Sequence, residues 1–333
     1  MTGISSNKQH DVIIVGAGMA GAALAMALRD SGLSLAMVEA RDLDAAPGAD
    51  GPVEGPGDFD HRVSAITPNS QSFLERIGAW EQLHAERLCP YREMAVWDAD
   101  GTGAIRFDAA ELDAAVLGHI VENRHLTRVL LDGLAENRDL DVYSPVSLED
   151  IESSPQGGVD VVLEGGARLS GRLLVAADGG QSLVRRLADF RTREWGYGHN
   201  ALVTTVETEL FHEGTAYQRF LSSGPLAFLP LPDVDGRHYC SIVWSAEPEM
   251  AEVLLAMDDV EFLQALGEAF EFRLGALPRC SARFAFPLRQ CHAVDYVKPG
   301  IALVGDAAHT IHPLAGQGIN LGLQDVAALA DLL

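Results

Sequence analysis

A glycine-rich turn near the start of the chain, residues 16–21 (GAGMAG), has the spacing of a phosphate-binding loop. Gly16 permits a tight turn, Gly18 lets a pyrophosphate approach the backbone, and Gly21 lets the next helix pack closely on the strand. The N–H groups at the start of that helix favour phosphates. Glu39 follows Gly21 by 18 residues, where a carboxylate can accept ribose hydroxyls. The set predicts dinucleotide binding, and the alternative is a tight turn that binds nothing.

A second motif spans residues 173–185 (LLVAADGGQSLVR). Its apolar run delivers Asp178 to a glycine turn, and a helix is expected to begin near Ser182. Taken alone, this pattern is better explained as an Asp-Gly turn followed by a serine helix cap than as a binding site.

A third motif spans residues 305–320 (GDAAHTIHPLAGQGIN). A strand is expected to end at Asp306, whose carboxylate could meet a second ribose or a ribityl hydroxyl. Pro313 and the turn at Gly316 and Gly318 would then present backbone N–H groups at the start of a helix. Such a helix end is electropositive and suits the negative charge of a reduced isoalloxazine ring.

No metal site is predicted. His309 and His312 are three residues apart, but the flanking glycines and proline exclude a helix, and no carboxylate or cysteine completes a ligand set. The cysteines lack C-x-x-C and metal-ligand spacing, so free thiols in a reducing cytoplasm are expected. They are Cys89, Cys240, Cys280 and Cys291.

The elements that carry these motifs alternate between strand and helix. Apolar runs predict strands at residues 11–15 and 35–39 around a helix at 19–30, and this β-α-β opening implies a parallel sheet with a right-handed crossover. The further predictions are a long loop over 43–60, helices over 70–77 and 112–135, a hairpin over 159–176, an antiparallel sheet over 200–245, a helix over 248–270, a strand over 301–305 and a helix over 320–333.

The composition of the chain indicates which classes of partner and which cellular location to expect. Hydrophobic residues make up 47% and charged residues 22%, as in ordinary globular proteins, and the net charge is −24. This charge repels phosphate backbones and argues against nucleic acid. No apolar run reaches membrane-spanning length, and the polar first ten residues do not resemble a signal peptide. A cytoplasmic protein is expected, with at most peripheral contact with the inner membrane.

The three motifs together resemble the flavoprotein hydroxylases typified by p-hydroxybenzoate hydroxylase. The longer string over residues 312–325 (HPLAGQGINLGLQD) is similar to the ubiquinone-biosynthesis hydroxylases of that group. Residues 117–126 and 228–249 look most like the branch that acts on 2-octaprenylphenol. The resemblance covers essentially the whole chain. Since members of this family continue beyond the last helix seen here, the chain is expected to be C-terminally incomplete.

The resemblance implies contacts with FAD. Arg62 would reach the pyrophosphate, Asn123 would lie near the flavin chain, and Asp178 would lie close to both FAD and the passing nicotinamide nucleotide. From the residues alone, a surface ion pair for Arg62 and a helix cap for Asn123 are preferred. The implied cofactor contacts are Gly16, Gly18, Met19, Ala20, Gly21, Glu39, Arg62, Asn123, Asp178, Asp306, Pro313, Gly316, Gly318, Ile319 and Asn320. The implied border of the flavin ring is Pro313, Leu314, Gly316 and Gly318.

The resemblance also implies the fold class: α/β, with a Rossmann-like (GR2-type) FAD-binding domain and an inserted antiparallel β-sheet substrate domain. The FAD-binding domain would be discontinuous, made of residues 1–84, 113–190 and 284–333. The substrate domain would take residues 85–112 and 191–283.

The implied activity is hydroxylation of the aromatic ring of a polyprenylated phenol in ubiquinone biosynthesis. FAD would be bound non-covalently, and NAD(P)H would reduce it and leave, as in the resembled family. The absence of a second G-x-G-x-x-G unit matches this transient binding of the reductant. O2 would then form a C4a-hydroperoxyflavin that transfers one oxygen atom to the ring. Other ubiquinone-biosynthesis proteins are the expected partners.

Several alternatives stay open from the sequence. The same fold serves prenyl reductases and halogenases, and a non-catalytic assembly subunit could keep FAD for stability alone. No substrate-activating base is assigned, since each candidate is better explained as a core or surface residue. Ring position, NADH versus NADPH, and a homo-oligomeric state are left open. The candidates for the base are His199, Tyr217, His238 and Tyr239.

Overall fold

The computed structural model describes residues 9–43, 56–153, 157–311 and 318–333. The strands are β1 (Gln9–Val15), β2 (Leu35–Val38), β3 (Val63–Ile66), β4 (Cys89–Tyr91), β5 (Glu93–Asp98), β6 (Ala104–Asp108), β7 (Gly118–Glu122), β8 (Leu140–Tyr143), β9 (Leu148–Ser153), β10 (Val159–Leu163), β11 (Arg168–Ala176), β12 (Thr192–Thr208), β13 (Thr215–Leu221), β14 (Gly224–Val234), β15 (Arg237–Ala246), β16 (Phe284–Ala293), β17 (Val297–Lys298), β18 (Ile301–Leu303) and β19 (His309–Thr310). The α-helices are α1 (Met19–Ala27), α2 (Pro68–Arg76), α3 (Asn123–Leu134), α4 (Leu183–Leu187), α5 (Pro248–Ala256), α6 (Asp259–Ala269) and α7 (Gly318–Ala330).

The first sheet has the order β17-β18-β11-β1-β2-β8, and the pairs from β18 to β8 are parallel. Strands β10 and β9 extend it as an antiparallel hairpin from β11. Val12 and Ile14 of β1 pack into a core with α1, α3 and α7, while Ile13 and Val15 pack into a second core on the opposite face. Burial on both faces explains why these parallel strands are continuously apolar.

The second large sheet has the order β19-β16-β12-β15-β14-β13-β5-β6. Its pairs are antiparallel except β13 with β5, which is parallel. Helices α5 and α6 cover one face, where the rings of Phe228 and Phe270 stack with centroids 3.7 Å apart. A small antiparallel sheet, β3-β7-β4, packs on the other face around Phe59 and Tyr239. The chain therefore has the expected α/β fold with an inserted, mainly antiparallel sheet.

The structure confirms the β-α-β opening, the hairpin of β10 and β11, and the strand and helix that flank the third motif. The prediction of one helix over 112–135 was wrong at its start. The stretch 118–122 forms β7 instead, because its β-branched Ile120 and Val121 pair with β3 and β4. Of the predicted loop over 43–60, residues 44–55 lie outside the described residues.

The predicted helix over 248–270 is two helices. Met257 has an extended backbone that ends α5, and Asp258 caps α6 by accepting a hydrogen bond from the Glu261 N–H at 2.9 Å. The predicted boundary at residue 284 also differs from the observed strand pairing. It assigned 284–293 to the FAD-binding domain, whereas β16 pairs with β12 of the second large sheet.

No helix in the described part of the chain is both long and apolar enough to cross a membrane.

Candidate functional site: a cleft between the two large sheets

A cavity of about 1240 Å³ lies between the parallel sheet and the antiparallel sheet. On one side are the carboxyl ends of β1, β11 and β18, where ligands bind in open α/β sheets. On the other side are β12 and β16. The wall on the parallel-sheet side includes Gly18, Met19, Ala20, Arg62, Ser64, Asn123, Asp306, Gly318, Ile319 and Gly322. The opposite wall includes Trp195, Val203, Val243, Phe286, Leu288 and Gln290.

The glycine turn after β1 is packed tightly except at one position. Gly16 has φ +103°, and a Cβ there would lie 2.4 Å from the Ala177 carbonyl oxygen. A Cβ on Gly21 would lie 1.9 Å from the Gly16 carbonyl oxygen. Gly18, by contrast, faces open space in the cleft and caps α1 without any side chain. The first turn of α1 is thus left accessible to an anionic group.

Glu39 ends the second strand as a buried carboxylate. Its Oε2 accepts a hydrogen bond from the Ala17 N–H at 2.7 Å, and its Oε1 accepts from the Arg41 N–H at 2.9 Å. Burial opposes the charge, but the backbone bonds and the Arg41 guanidinium outweigh it, so the pKa of Glu39 lies below its usual value. Oε1 also accepts a hydrogen bond from the Arg41 Nε at 3.1 Å, so Oε2 is the oxygen that keeps a lone pair with which this ionised group can accept a ribose hydroxyl.

Arg62 and Asp306 lie on the same wall of the cleft, and the charge of Arg62 acts on the Asp306 carboxylate. The Arg62 side chain is exposed, and its guanidinium carbon lies 5.8 Å from the centroid of the Phe286 ring. Asp306 is accessible from the cleft, yet the surrounding protein desolvates it and raises its pKa, an effect that Arg62 and His309 oppose. The sequence-based reading of Arg62 as a surface ion pair finds no support, since no carboxylate bonds its guanidinium among the described residues.

Asn123 begins α3 and lines the cleft. Its backbone N–H donates to the Arg62 carbonyl at 3.0 Å, and its side-chain Oδ1 accepts from the Ser64 hydroxyl at 2.7 Å. These bonds join β3 to the start of α3, so Arg62, Ser64 and Asn123 form one continuous part of the wall.

Asp178 and Asn320 hold helices instead of lining the cleft. The Asp178 Oδ2 accepts from the Leu183 N–H at 2.7 Å at the start of α4, and its Oδ1 is buried without a hydrogen-bond partner in the described chain. The Asn320 amide donates to the Ala65 carbonyl at 2.7 Å and accepts from the Thr67 N–H at 3.0 Å. Both side chains are used mainly within the protein, whereas the residues beside them line the cleft.

The predicted flavin-ring border is described only in part. Pro313, Leu314 and Gly316 lie outside the described residues. Gly318 and Ile319, which begin α7, do line the cleft.

The opposite wall is built by pairing two strands that are distant in sequence. β12 and β16 pair with a shift in register, so that residues 197–199 face Leu288 alone. Bulges of this kind re-aim side chains next to binding sites. Trp195, just before the bulge, is 48% exposed, and Phe286 and Leu288 complete an apolar surface on the cleft.

Two residues of the site were missed from the sequence. Arg185 is 5% exposed, and its guanidinium donates to the Ala307 carbonyl at 2.8 Å and the Gly180 carbonyl at 2.7 Å. It therefore ties the second motif to the third. His61 lines the cleft with its ring against Phe284 at 4.5 Å. Arg185 is the last residue of the second motif and His61 directly precedes Arg62, and these positions were the sequence signals for the two residues.

The four candidate bases do not line the cleft. Tyr239 is buried in a core, and Tyr217 packs edge-to-face with Trp97. His238 pairs with an aspartate 3.0 Å away, and the His199 ring bonds the Tyr197 carbonyl. The structure thus gives none of them access to a ring held in the cleft.

Comparison with known proteins identifies the family. The chain matches the FAD binding domain family over residues 9–333. It is 37% identical over 334 residues to the 3-demethoxyubiquinol 3-hydroxylase of Escherichia coli K12, a match that covers 98% of this chain and 80% of that protein. The chain belongs to the ubiquinone-biosynthesis FAD hydroxylases. Its particular likeness to the 2-octaprenylphenol branch stays a prediction.

A second relative and a solved structure support the same family and fold. Mitochondrial ubiquinone biosynthesis monooxygenase COQ6 of Xenopus tropicalis is 36% identical over 96% of this chain and 76% of its own length. The solved structure of PqsL, a probable FAD-dependent monooxygenase from Pseudomonas aeruginosa, has a TM-score of 0.79 at 24% identity and covers 97% of this chain and 85% of that chain. The second comparison confirms the fold.

The cleft fits the cofactor of these hydroxylases. Gly18 leaves room where an approaching diphosphate needs it, the start of α1 supplies N–H groups, and Asp306 lines the cleft as a carboxylate acceptor for hydroxyl groups. Glu39 does not line the cleft, but its carboxylate holds the glycine turn through the Ala17 N–H. The protein is accordingly an FAD-dependent aromatic monooxygenase. Its four cysteines are free, as predicted.

Proposed function

We propose that this protein hydroxylates the aromatic ring of a polyprenylated phenol in ubiquinone biosynthesis, with NAD(P)H and O2 as co-substrates. The relatives named for ubiquinone hydroxylation support the pathway. The observation that carries the proposal is the pair of unlike walls around one cleft. One wall offers glycine backbone and the Asp306 carboxylate, and the other includes the apolar side chains of Phe286, Leu288 and Val203.

We assign the FAD contacts accordingly. Residues 16–21 and Arg62 would hold the pyrophosphate, because backbone N–H groups and an arginine fork both suit phosphate oxygens. Glu39 would accept the adenosine ribose hydroxyls, and Asp306 and Asn123 would face the ribityl chain. The start of α7, with the preceding 313–316, would border the ring. Asp178 and Asn320 contribute indirectly, since their side chains fix the neighbouring turn and helix.

When bound, FAD supplies the redox chemistry: it accepts a hydride from NAD(P)H and activates O2, so that one oxygen atom enters the ring and the other becomes water. The chain's own residues orient the phenol and exclude water. Val203 and Leu288 are 4% and 5% exposed, and they line the wall on which an apolar ring would rest. An apolar wall of this kind keeps water away from reactive intermediates and so prevents their side reactions.

The two large sheets are assigned to different domains. We propose that the parallel sheet with its helices forms the discontinuous FAD-binding domain, and that the antiparallel sheet with β16 forms the substrate domain. With a net charge of −24, the protein gains no attraction to anionic lipid. Delivery of the prenylated phenol by other proteins of the pathway is therefore proposed, with at most peripheral membrane contact.

The test is anaerobic stopped-flow reduction of the purified flavoprotein. NAD(P)H should bleach the visible absorbance of the flavin, and a soluble short-chain prenylphenol should accelerate the bleaching. A flavin that stays oxidised with either nucleotide, with or without the phenol, would overturn the proposal and favour the assembly-subunit alternative.

A further inference from the structure

A buried histidine paired with a partly buried aspartate lies directly behind the cleft. His309 in β19 is 6% exposed, and its Nε2 donates to the Asp325 Oδ2 of α7 at 2.6 Å. The same oxygen accepts a second hydrogen bond, from the Gly305 N–H at 2.9 Å. A single carboxylate therefore ties the strand-end turn and the histidine to one helix.

The turn that this carboxylate holds is pressed between two helices. Gly305 has φ +60°, and a Cβ there would lie 3.2 Å from the Ala20 side chain of α1. A Cβ on Gly322 of α7 would lie 3.1 Å from the Gly305 Cα. Asp306 follows this turn and faces the cleft, and so does the start of α7. The bonds of Asp325 consequently set the position of Asp306 relative to α7.

Charged and polar groups approach His309 from each element around it. Asp325 comes from α7 and Asp306 from the preceding turn. The rings of His292 in β16 and Tyr296 after it lie 6.1 and 5.7 Å away between centroids. The Arg185 guanidinium bonds the nearby Ala307 carbonyl. The carboxylates are the two anions in this set.

The balance of these groups favours a positive His309. Burial opposes its protonation, but the hydrogen bond and charge of Asp325 outweigh burial, with a smaller contribution from Asp306, and the pKa of His309 is raised. In return, the charge of His309 opposes the rise in the pKa of Asp306 that burial causes.

We propose that His309 is a positioning residue for FAD: its imidazolium, held by Asp325, offsets the negative charge of Asp306 and fixes the turn against α7. Bound FAD would cover Asp306 and remove it from water, so a nearby cation should make the ionised carboxylate less costly in the complex. Protonated His309 thus strengthens FAD binding, through Asp306 and not through direct contact.

The sign of the pH dependence follows. If FAD binding raises the pKa of a group, protonation of that group strengthens binding. The gain in FAD affinity is complete below the pKa in the free protein and is lost as pH rises above the pKa in the complex. Because His309 titrates above the ordinary histidine value of about 6.5, FAD affinity should be highest near pH 6 and fall toward about pH 9.

The experiment measures the FAD dissociation constant by flavin fluorescence from about pH 6 to about pH 9 in the apoprotein. His309→Gln keeps a hydrogen-bond donor without the charge. It should bind FAD roughly threefold to tenfold more weakly at pH 6, the usual range for one partly screened charge interaction, and lose the alkaline step. His238→Gln is the matched control. His238 also pairs with an aspartate, since its Nδ1 lies 3.0 Å from the Asp233 Oδ1, but neither residue lines the cleft. This control should keep the wild-type profile.

A His309→Gln profile with the full wild-type step would overturn the proposal. If that variant fails to fold, Asp325→Asn provides the second test, since loss of the carboxylate should move the step to lower pH. A step unmoved in Asp325→Asn would equally contradict the role assigned to the pair.

Discussion

The two walls of the cleft are built from different kinds of interaction. On the parallel-sheet side, the shape depends on close backbone approaches within a few residues, such as Gly21 against Gly16. On the antiparallel side, the shape depends on the pairing of β12 with β16, in which Trp195 and Gln290 are directly opposite each other. The packed glycines of the first wall have almost no freedom to vary, whereas the second wall needs only apolar volume in the right place.

This difference explains why one fold can keep a cofactor while changing its substrate. A glycine turn that admits a diphosphate tolerates no added atom at its packed positions, while an apolar wall can exchange side chains of similar volume at small cost. Substitutions on the first wall should therefore weaken FAD binding or, at the packed glycines, impair folding. Substitutions on the second should change the handling of the phenol and leave FAD in place.

The largest effect is expected for Gly21→Ala. Its new Cβ would lie 1.9 Å from a carbonyl oxygen, so α1 must move away from β1. We expect a loss of about 3 kcal/mol in the free energy of unfolding and loss of FAD. Gly18→Ala is the control, since a Cβ there meets open space. It should change the unfolding free energy by less than about 1 kcal/mol while weakening FAD binding. Urea unfolding and flavin fluorescence measure both; equal unfolding energies for the two variants would refute this packing argument.

Arg62→Ala should weaken FAD binding with little change in stability. Loss of a charge-assisted bond to the pyrophosphate should cost about 1.5–3 kcal/mol, roughly tenfold to a hundredfold in affinity. Arg76→Ala is a suitable control, because Arg76 is also exposed, at 53%, and lies over an aromatic ring outside the cleft. An Arg62 variant with the affinity of the Arg76 variant would return Arg62 to a surface role.

Phe286→Ala addresses the opposite wall. Removal of its ring should raise the KM for a prenylphenol about tenfold, the effect of losing about 1.4 kcal/mol of apolar contact. FAD affinity should change less than about threefold, although Arg62 lies over this ring. Phe220→Ala, which removes a 43% exposed ring outside the cleft, serves as the comparison. Steady-state kinetics at saturating NAD(P)H measures the KM; a selective loss of FAD would contradict the separation of the walls.

The smallest effect concerns Glu39. Its pKa is lowered in the folded protein, so its contribution to stability is present above the unfolded pKa of about 4.3 and is lost as pH falls through the folded value. Glu39→Gln should lose about 1 kcal/mol at pH 7 and show a weaker acid dependence than the wild type. Urea unfolding at several pH values checks this; parallel curves for the two proteins would show that Glu39 carries no such linkage.

Sequence reasoning succeeded where the signal was local. The turn at Gly16–Gly21, the acidic end of the second strand and the start of α7 each depend on neighbours within one β-α unit. It failed for β7, whose residues 118–122 become a strand only because β3 and β4 lie on either side. The bond from Asn320 to Ala65 spans 255 residues, so no local pattern could reveal that this side chain serves packing.

The antiparallel wall was predictable as a sheet but not as a site. Its strands alternate apolar residues in the expected way, yet the shift in register at 197–199 and the pairing with β16 depend on contacts about 90 residues apart. For that reason the candidate bases chosen from this region do not reach the cleft, while His61, from a different element, does.

The most direct measurement uses oxygen-18. The FAD-loaded protein is given NAD(P)H, labelled O2 and a polyprenylated phenol, and the extracted lipid is analysed by mass spectrometry. We predict a product heavier by one labelled oxygen on the ring, formed in proportion to NAD(P)H consumed. Rapid NAD(P)H oxidation that yields only hydrogen peroxide, or a reduced or halogenated lipid without the label, would contradict it.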